Sequence, residues 1–161
     1  MDTWQVYLSG EIHTDWREQI EAGARAAGLP VAFSAPVTNH GYSDDCGVTI
    51  LGQEEKSFWK DRKGAGVNAL RTRTLIEKAD IVIVRFGEKY KQWNAAFDAG
   101  YASALGKSLI IMHGPDHAHA LKEVDEAAQA VAETPEQIVA ILRYVITGDL
   151  TTAEGAKVAA E

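Results

Sequence analysis

Along most of the chain, short apolar runs alternate with stretches whose apolar residues recur every three or four positions. "TWQVYLSG" (3–10) sets Trp4, Val6 and Leu8 at period two and stops at Gly10, which predicts a strand. In "DWREQIEAGARAAGLP" Asp15 and Glu18 have the spacing of a capping box. Trp16 and Ile20 share a face there, and Gly28 with Pro30 ends the helix. "PVAFSAP" (30–36) predicts a short second strand. Residues 37–63, polar and Gly-containing around Phe58 and Trp59, read as loop with one or two short helices. "GVNALRTRTLIEKA" (66–79) gathers Val67, Leu70, Thr74 and Leu75 near one helical face. "DIVIVRF" (80–86) and "SLIIMHG" (108–114) are continuous apolar runs, as in strands buried on both faces of a parallel sheet. Between them "WNAAFDAGYASALGK" (93–107) predicts a helix of small residues. "DHAHALKEVDEAA" predicts another, and "AQAVAE" (128–133) a weak edge strand. "TPEQIVAILRYVITG" carries a complete set of end signals: Thr134 caps, Pro135 opens, Gln137 completes the box and Gly148 closes.

Strands alternating with helices predict an α/β protein, a three-layer sandwich around a parallel sheet of about five strands. One domain is expected over 1–148, and 149–161 reads as a tail or an arm that docks on a partner. Ligands of such sheets sit at the carboxyl ends of the strands, near the switch in strand order. The loops 10–14, 37–46 and 87–93 are expected to share that edge.

Composition narrows the class. A chain of 161 residues, 46% hydrophobic and 24% charged, can bury a full core without disulfide or metal. Its single cysteine, Cys46, has no internal partner, which fits a reducing compartment. A formal charge of −7 argues against a nucleic-acid partner, because phosphate contacts need clustered Lys and Arg. No basic segment leads into an apolar one at the start, and no apolar run nears membrane-spanning length. A cytoplasmic protein without membrane or nucleic-acid partners is expected.

Asp98 is the anomaly. Asp is a poor residue inside a helix, since its carboxylate competes for backbone hydrogen bonds. Asn94 and Tyr101 stand at i−4 and i+3, on its side of the helix, while Trp93 and Phe97 are expected to pack inward. A position in the first half of the helix favours the ionised form. A solvated acid on an exposed face is the alternative. Tyr7 lies on the face of the first strand opposite Trp4, Val6 and Leu8, where it either donates into the crevice or covers the sheet. "GEIH" places Gly10, Glu11 and His13 before a helix N-terminus. Glu11 would repel an anion there, so it more plausibly binds hydroxyls or caps backbone. Arg71, Arg73, Lys89 and Lys91 are possible phosphate partners, although most such charges are simply solvated.

Three features point elsewhere. "GYASALGKS" has its glycines one residue too far apart for a phosphate loop and precedes a strand, so Gly106 reads as a helix end. "HGPDHAH" (113–119) lacks a fourth ligand spaced for a closed zinc site, and no metal is expected. Asp44 and Asp45 beside Cys46 work against a reactive thiolate. No cofactor fingerprint is present.

"YLSGEIHTDWRE", "NALRTRTLIEKAD" and "ADIVIVRFGEKYKQWNAAFDAGYASALGK" resemble the YtoQ family of small bacterial proteins, over nearly all of residues 3–147. That family looks like a branch of the nucleoside 2-deoxyribosyltransferase superfamily. The resemblance implies a flavodoxin-like sheet, a homodimer or larger oligomer, and cleavage of N-glycosidic bonds in nucleosides or nucleotides. It places the superfamily's first-strand tyrosine on Tyr7. Its "ELGYA" nucleophile helix falls on "DAGYA", and so the nucleophile falls on Asp98. Asp is one methylene shorter than Glu, about 1.5 Å. A displacement of about 1 Å can cost on the order of 10²-fold in rate. The superfamily's second carboxylate, which helps protonate the departing base, falls on Thr72. "KYKQWN" replaces the small Gly/Ser loop that receives a 5′-phosphate in nucleotide-cleaving relatives, so Trp93 either stacks on a base or seals the pocket.

Three readings follow. In the first, Asp98 attacks an anomeric carbon or positions a water, Tyr7 orients it, and Glu11 or Asp44 supplies the missing acid. Gly10, His13, Arg71, Trp93 and Asn94 would border the small-molecule substrate. In the second, the crevice binds a nucleotide-like metabolite without turnover. The third is a structural subunit with a filled crevice. Phe58 and Trp59 are candidates for a dimer contact.

Overall fold

The two continuous apolar runs become neighbouring central strands, buried on both sides as their composition requires. The computed structural model describes residues 2–89 and 91–158. Its strands are β1 (Trp4–Gly10), β2 (Val31–Ser34), β3 (Ile81–Arg85), β4 (Ser108–Met112) and β5 (Ala130–Ala132). All pairings are parallel, in the order β2-β1-β3-β4-β5, with Leu8 opposite Ile83 and Ile83 opposite Ile110. The connecting helices are α1 (Trp16–Ala26), α2 (His40–Leu51), α3 (Ser57–Lys78), α4 (Trp93–Ala104), α5 (Ala118–Glu126) and α6 (Pro135–Thr147). The chain runs outward from β1 to β2 and returns on the other side of β1 as β3. The switch in strand order, where such sheets bind ligands, therefore lies between β1 and β3.

Alternation along the strands sorts the core into two layers. Val6, Leu8, Ile83, Ile110 and Met112 meet Trp16 and Ile20 of α1 and Ile138 and Leu142 of α6. Tyr7, Val82, Val84, Leu109 and Ile111 meet Ile76 of α3 and Ala95, Ala99 and Ala102 of α4. Each fully buried Ile or Leu contributes roughly 1.5–3 kcal/mol. The alanines at i, i+4 and i+7 let α4 lie close on the sheet.

Both helix-end signals of α6 form. Thr134 accepts from the Gln137 N–H at 3.3 Å, Gln137 accepts from the Thr134 N–H at 3.3 Å, and Gly148 closes at φ 77°. The box expected at Asp15 does not form. The Asp15 carboxylate is taken instead by the Gln19 amide at 2.7 Å.

The segment 37–63 differs most from expectation. It supplies all of α2 and the start of α3, whose helix begins nine residues before the expected Gly66 and runs 22 residues without a break. Gly64, just before the expected helix start, marks a close helix crossing. A Cβ on Gly47 of α2 would lie 2.2 Å from the Gly64 nitrogen and 2.3 Å from the Lys63 carbonyl carbon. The helix spans about 33 Å and β3 only about 17 Å. Its first half therefore overshoots the sheet and, paired with α2, builds a wall.

Within the tail, Thr151 is buried and bridges to Lys157, and 151–155 border one pocket with Gly23 of α1 and Val139 of α6. Among the described residues no helix is long and apolar enough to cross a membrane.

Candidate active site

The carboxyl end of β1 is built before anything can bind to it. Gly10 has φ +115°, and a Cβ there would stand 2.1 Å from the Arg85 carbonyl oxygen, so only glycine fits. Beyond it, Arg17 turns back from the first turn of α1 and laces the strand end. Its Nε donates to the Leu8 carbonyl at 3.0 Å, and its two Nη to the Glu11 and Gly10 carbonyls at 2.7 and 3.1 Å. The guanidinium also covers the Trp16 ring at 4.4 Å, and the Trp16 indole donates to Glu11 O at 3.0 Å.

Glu11 is a structural acid. It accepts from the His13 N–H at 2.6 Å, the Thr14 N–H at 3.2 Å, the Thr14 hydroxyl and Arg85 Nε at 3.1 Å. Burial opposes its charge, but the Thr14, His13 and Arg85 bonds outweigh it and hold the carboxyl below its ordinary range. The expectation that Glu11 caps backbone is met, and a group so committed does not lend a proton to a leaving group.

Asp98 reaches the same place from α4. The Ser9 hydroxyl donates to Asp98 Oδ2 at 2.5 Å, from a side chain 1% exposed. Burial pushes the Asp98 carboxyl above the ordinary 3.8, and the Ser9 bond only partly offsets this. The helix position was expected to favour ionisation; loss of water outweighs it. Asn94 borders the crevice but makes no bond to Asp98, and the Tyr101 hydroxyl is given to Glu77 at 2.6 Å. The residue orienting the carboxylate is thus Ser9. Sequence offered one sign of it, a hydroxyl beside Gly10 at the end of an apolar strand.

Tyr7 is fully buried, and its phenol has no hydrogen-bond partner among the described residues. Thr72 lies close enough to stabilise a phenolate without completing a bond of normal geometry. Burial nevertheless pushes the phenol up to about 12, with the Asp98 charge adding to it, so it stays protonated. A buried unmade hydrogen bond costs about 1–3 kcal/mol. Tyr7→Phe is therefore expected to raise unfolding stability by about 1 kcal/mol in urea titration. A loss of stability instead would mean that the hydroxyl is bonded in solution.

Around Asp98 opens a crevice of about 790 Å³. Its floor is Ser9 and Gly10, with Glu11 and His13 at one side. Arg71 and Thr72 come from the α3 wall, and Trp93 and Phe97 from α4. Trp93 and Phe97 do not pack inward: they are 75% and 61% exposed, because the alanine face of α4 takes the sheet and the aromatics at i and i+4 fall on the rim. Arg71 donates to the Ala35 carbonyl at 3.2 and 3.1 Å. Asp44 does not itself border the crevice, but on α2 it pairs at 3.0 Å with His40, which does. Of the histidines in "HGPDHAH", His113 is buried against Asp125 at 3.1 Å and serves the packing of α5.

A parallel sheet in this order, covered by helices on both faces, makes this an α/β protein of flavodoxin-like architecture. Solved structures of nucleoside 2-deoxyribosyltransferase-like fold share it, two of them as follows. The 2-deoxyribosyltransferase from Bacillus psychrosaccharolyticus is 16% identical, with 83% of this chain and 89% of that one covered and a TM-score of 0.52. A conserved protein from Enterococcus faecalis V583 is 12% identical, with 89% and 99% covered and a TM-score of 0.59. Residues 7–146 match the family described as nucleoside 2-deoxyribosyltransferase YtoQ, and the chain belongs to that family. The uncharacterized protein YtoQ of Bacillus subtilis (strain 168) is 46% identical over 140 residues, 87% of this chain and 95% of that one.

Proposed function

We propose that this protein cleaves the N-glycosidic bond of a nucleoside-like metabolite, with Asp98 as the group that meets the anomeric carbon. The observation that carries the reading is the Asp98 carboxylate, half-buried and held at 2.5 Å by buried Ser9 on the floor of the crevice. The family name and the deoxyribosyltransferase neighbour support the same reading. One Asp98 oxygen bonds to C1′ as the C1′–N bond breaks, and the electron pair leaves with the base. Water or a second base then releases the sugar from the ester. Glu11 is committed to Arg85, and Thr72 is no acid. The departing nitrogen therefore takes its proton from solvent or from His13, which borders the same crevice.

Purified protein incubated with a panel of nucleosides and nucleotides, followed by chromatography, is expected to release free base. Binding of panel members without release, by wild type at any pH, would support the alternative of a binding protein without turnover. The absence of a second carboxylate on the α3 wall favours that alternative. Phe58 and Trp59, edge to face at 5.0 Å and 65% and 51% exposed, are the proposed contact between copies. Light scattering on a Phe58→Ser, Trp59→Ser double variant checks it, with a smaller particle than wild type as the expected result.

A further inference from the structure

The α3 wall offers Thr72 where an acid would help, and Glu11 is spent on Arg85. The electron pair that departs with the base therefore meets no carboxylic acid in the crevice. Another edge carries a pair suited to moving protons. His40, the first residue of α2, borders the crevice, and its Nδ1 lies 3.0 Å from Asp44 Oδ2 one helical turn on. The turn that carries both is fixed. The Asn39 side chain caps it, accepting from the Tyr42 N–H at 2.9 Å. Asn68 Nδ2 of α3 donates to the Ser43 carbonyl at 2.9 Å, and Gly47 seats α2 against Gly64.

We infer that His40 carries the solvent proton to the departing base, with Asp44 as the residue that positions it. This rests on the glycosidic reading of Asp98 and names the acid partner of that site. A carboxylate on Nδ1 fixes the imidazole tautomer and leaves Nε2 as the nitrogen that exchanges a proton. As the C1′–N bond breaks, the imidazolium gives its Nε2 proton to the base nitrogen that receives the electron pair, and His40 is left neutral. Water then adds to the sugar ester on Asp98, and the proton it sheds returns to Nε2 through solvent. Exposure suits this work, because the ring recharges from water between turnovers. Asp44 stands off the crevice and reaches the chemistry only through His40. As an exposed ion pair the two contribute little stability, so their contact serves orientation. The charged groups that share the crevice with His40 are Arg71 and Arg73 of α3, Glu11 and His13 after β1, and Lys91 and Asp98 on the α4 side. Tyr101 gives its hydroxyl to Glu77. The cations and the α2 N-terminus favour loss of the His40 proton, and Asp44, Asp98 and Glu11 favour its retention.

The test uses the full-length protein and those nucleosides of ordinary bases that it cleaves. His40→Gln is expected to lower kcat/KM by about 10²-fold, as loss of a general acid does, and to remove the alkaline limb of the pH profile. On 7-methylguanosine the loss should shrink to a small fraction of that, because this base is already cationic and leaves without a proton. His13→Gln should keep the alkaline limb. Asp44→Asn should lower kcat/KM by about tenfold and move the limb to lower pH, since the charge that favours the imidazolium is gone. His40 and Asp44 are both exposed, so neither change disturbs the core. A His40→Gln protein as active as wild type on ordinary nucleosides, or one equally impaired on 7-methylguanosine, overturns the role of His40 and leaves the glycosidic reading standing. Wild type that releases base from no nucleoside sinks both.

Discussion

Asp98→Asn is expected to abolish release of base, with kcat lower by at least on the order of 10³-fold, as when a nucleophile is removed from a working constellation. The same change should stabilise the fold. The folded-state carboxyl is raised above 3.8, so between that value and its folded value the native protein holds more protons than the unfolded chain. Stability contributed at this position therefore falls as pH rises through that window, and the full penalty is present above it. Asn carries no such penalty. The variant should match wild type in acid and melt at a higher temperature near neutrality. Undiminished turnover, or a variant less stable than wild type at neutral pH, would contradict this placement of the charge. Ser9→Ala extends the test. It removes the one bond that favours the ionised form, so the acid limb of the kcat/KM profile should move to higher pH. A substitution that merely loosened packing would lower activity without moving that limb.

Arg17→Ala is expected to cost about 3 kcal/mol of stability, from carbonyls left without donors and a lost stack on Trp16. For a chain of this size that is a fall in Tm of roughly 6–12 °C. The carbonyls affected belong to Leu8, Gly10 and Glu11, so the loop 10–14 should also lose protection in hydrogen exchange. Arg17→Lys, with one compact ammonium in place of a planar fork, should recover less than half. Circular dichroism melts check both. A shift under about 2 °C for the alanine variant would mean that the guanidinium cradle contributes little.

Arg17 shows why part of the site was not legible in sequence. A cation in the first turn of a helix runs against the helix dipole, and that is the only local sign that it serves another element. Its partners are carbonyls of the preceding strand, which no residue pattern reports. Ser9 is similar. Its partner Asp98 stands 89 positions away, and they meet only because α4 returns over the end of β1. Trp93 and Phe97 failed for the opposite reason. Apolar side chains on a helix are expected to pack inward, yet α4 gives its alanines to the sheet and its aromatics to the rim. The early start of α3 was not legible because nothing local announces that Gly47 of α2 lies against Gly64.

By itself the sequence determined the strands, the layers and the last helix, because periodicity and end signals act over a few residues and need no distant partner. It also singled out Asp98 as a residue with no local reason to be where it is. The tertiary structure alone decided which acids are committed and which is not. Glu11 is tied down by Arg85, Asp44 is paired with His40 on α2, and Asp98 stands half-buried beside Ser9. The physical reason is that ionisation depends on desolvation and on neighbours brought from distant parts of the chain. Both are fixed only when the strands and helices are laid against one another.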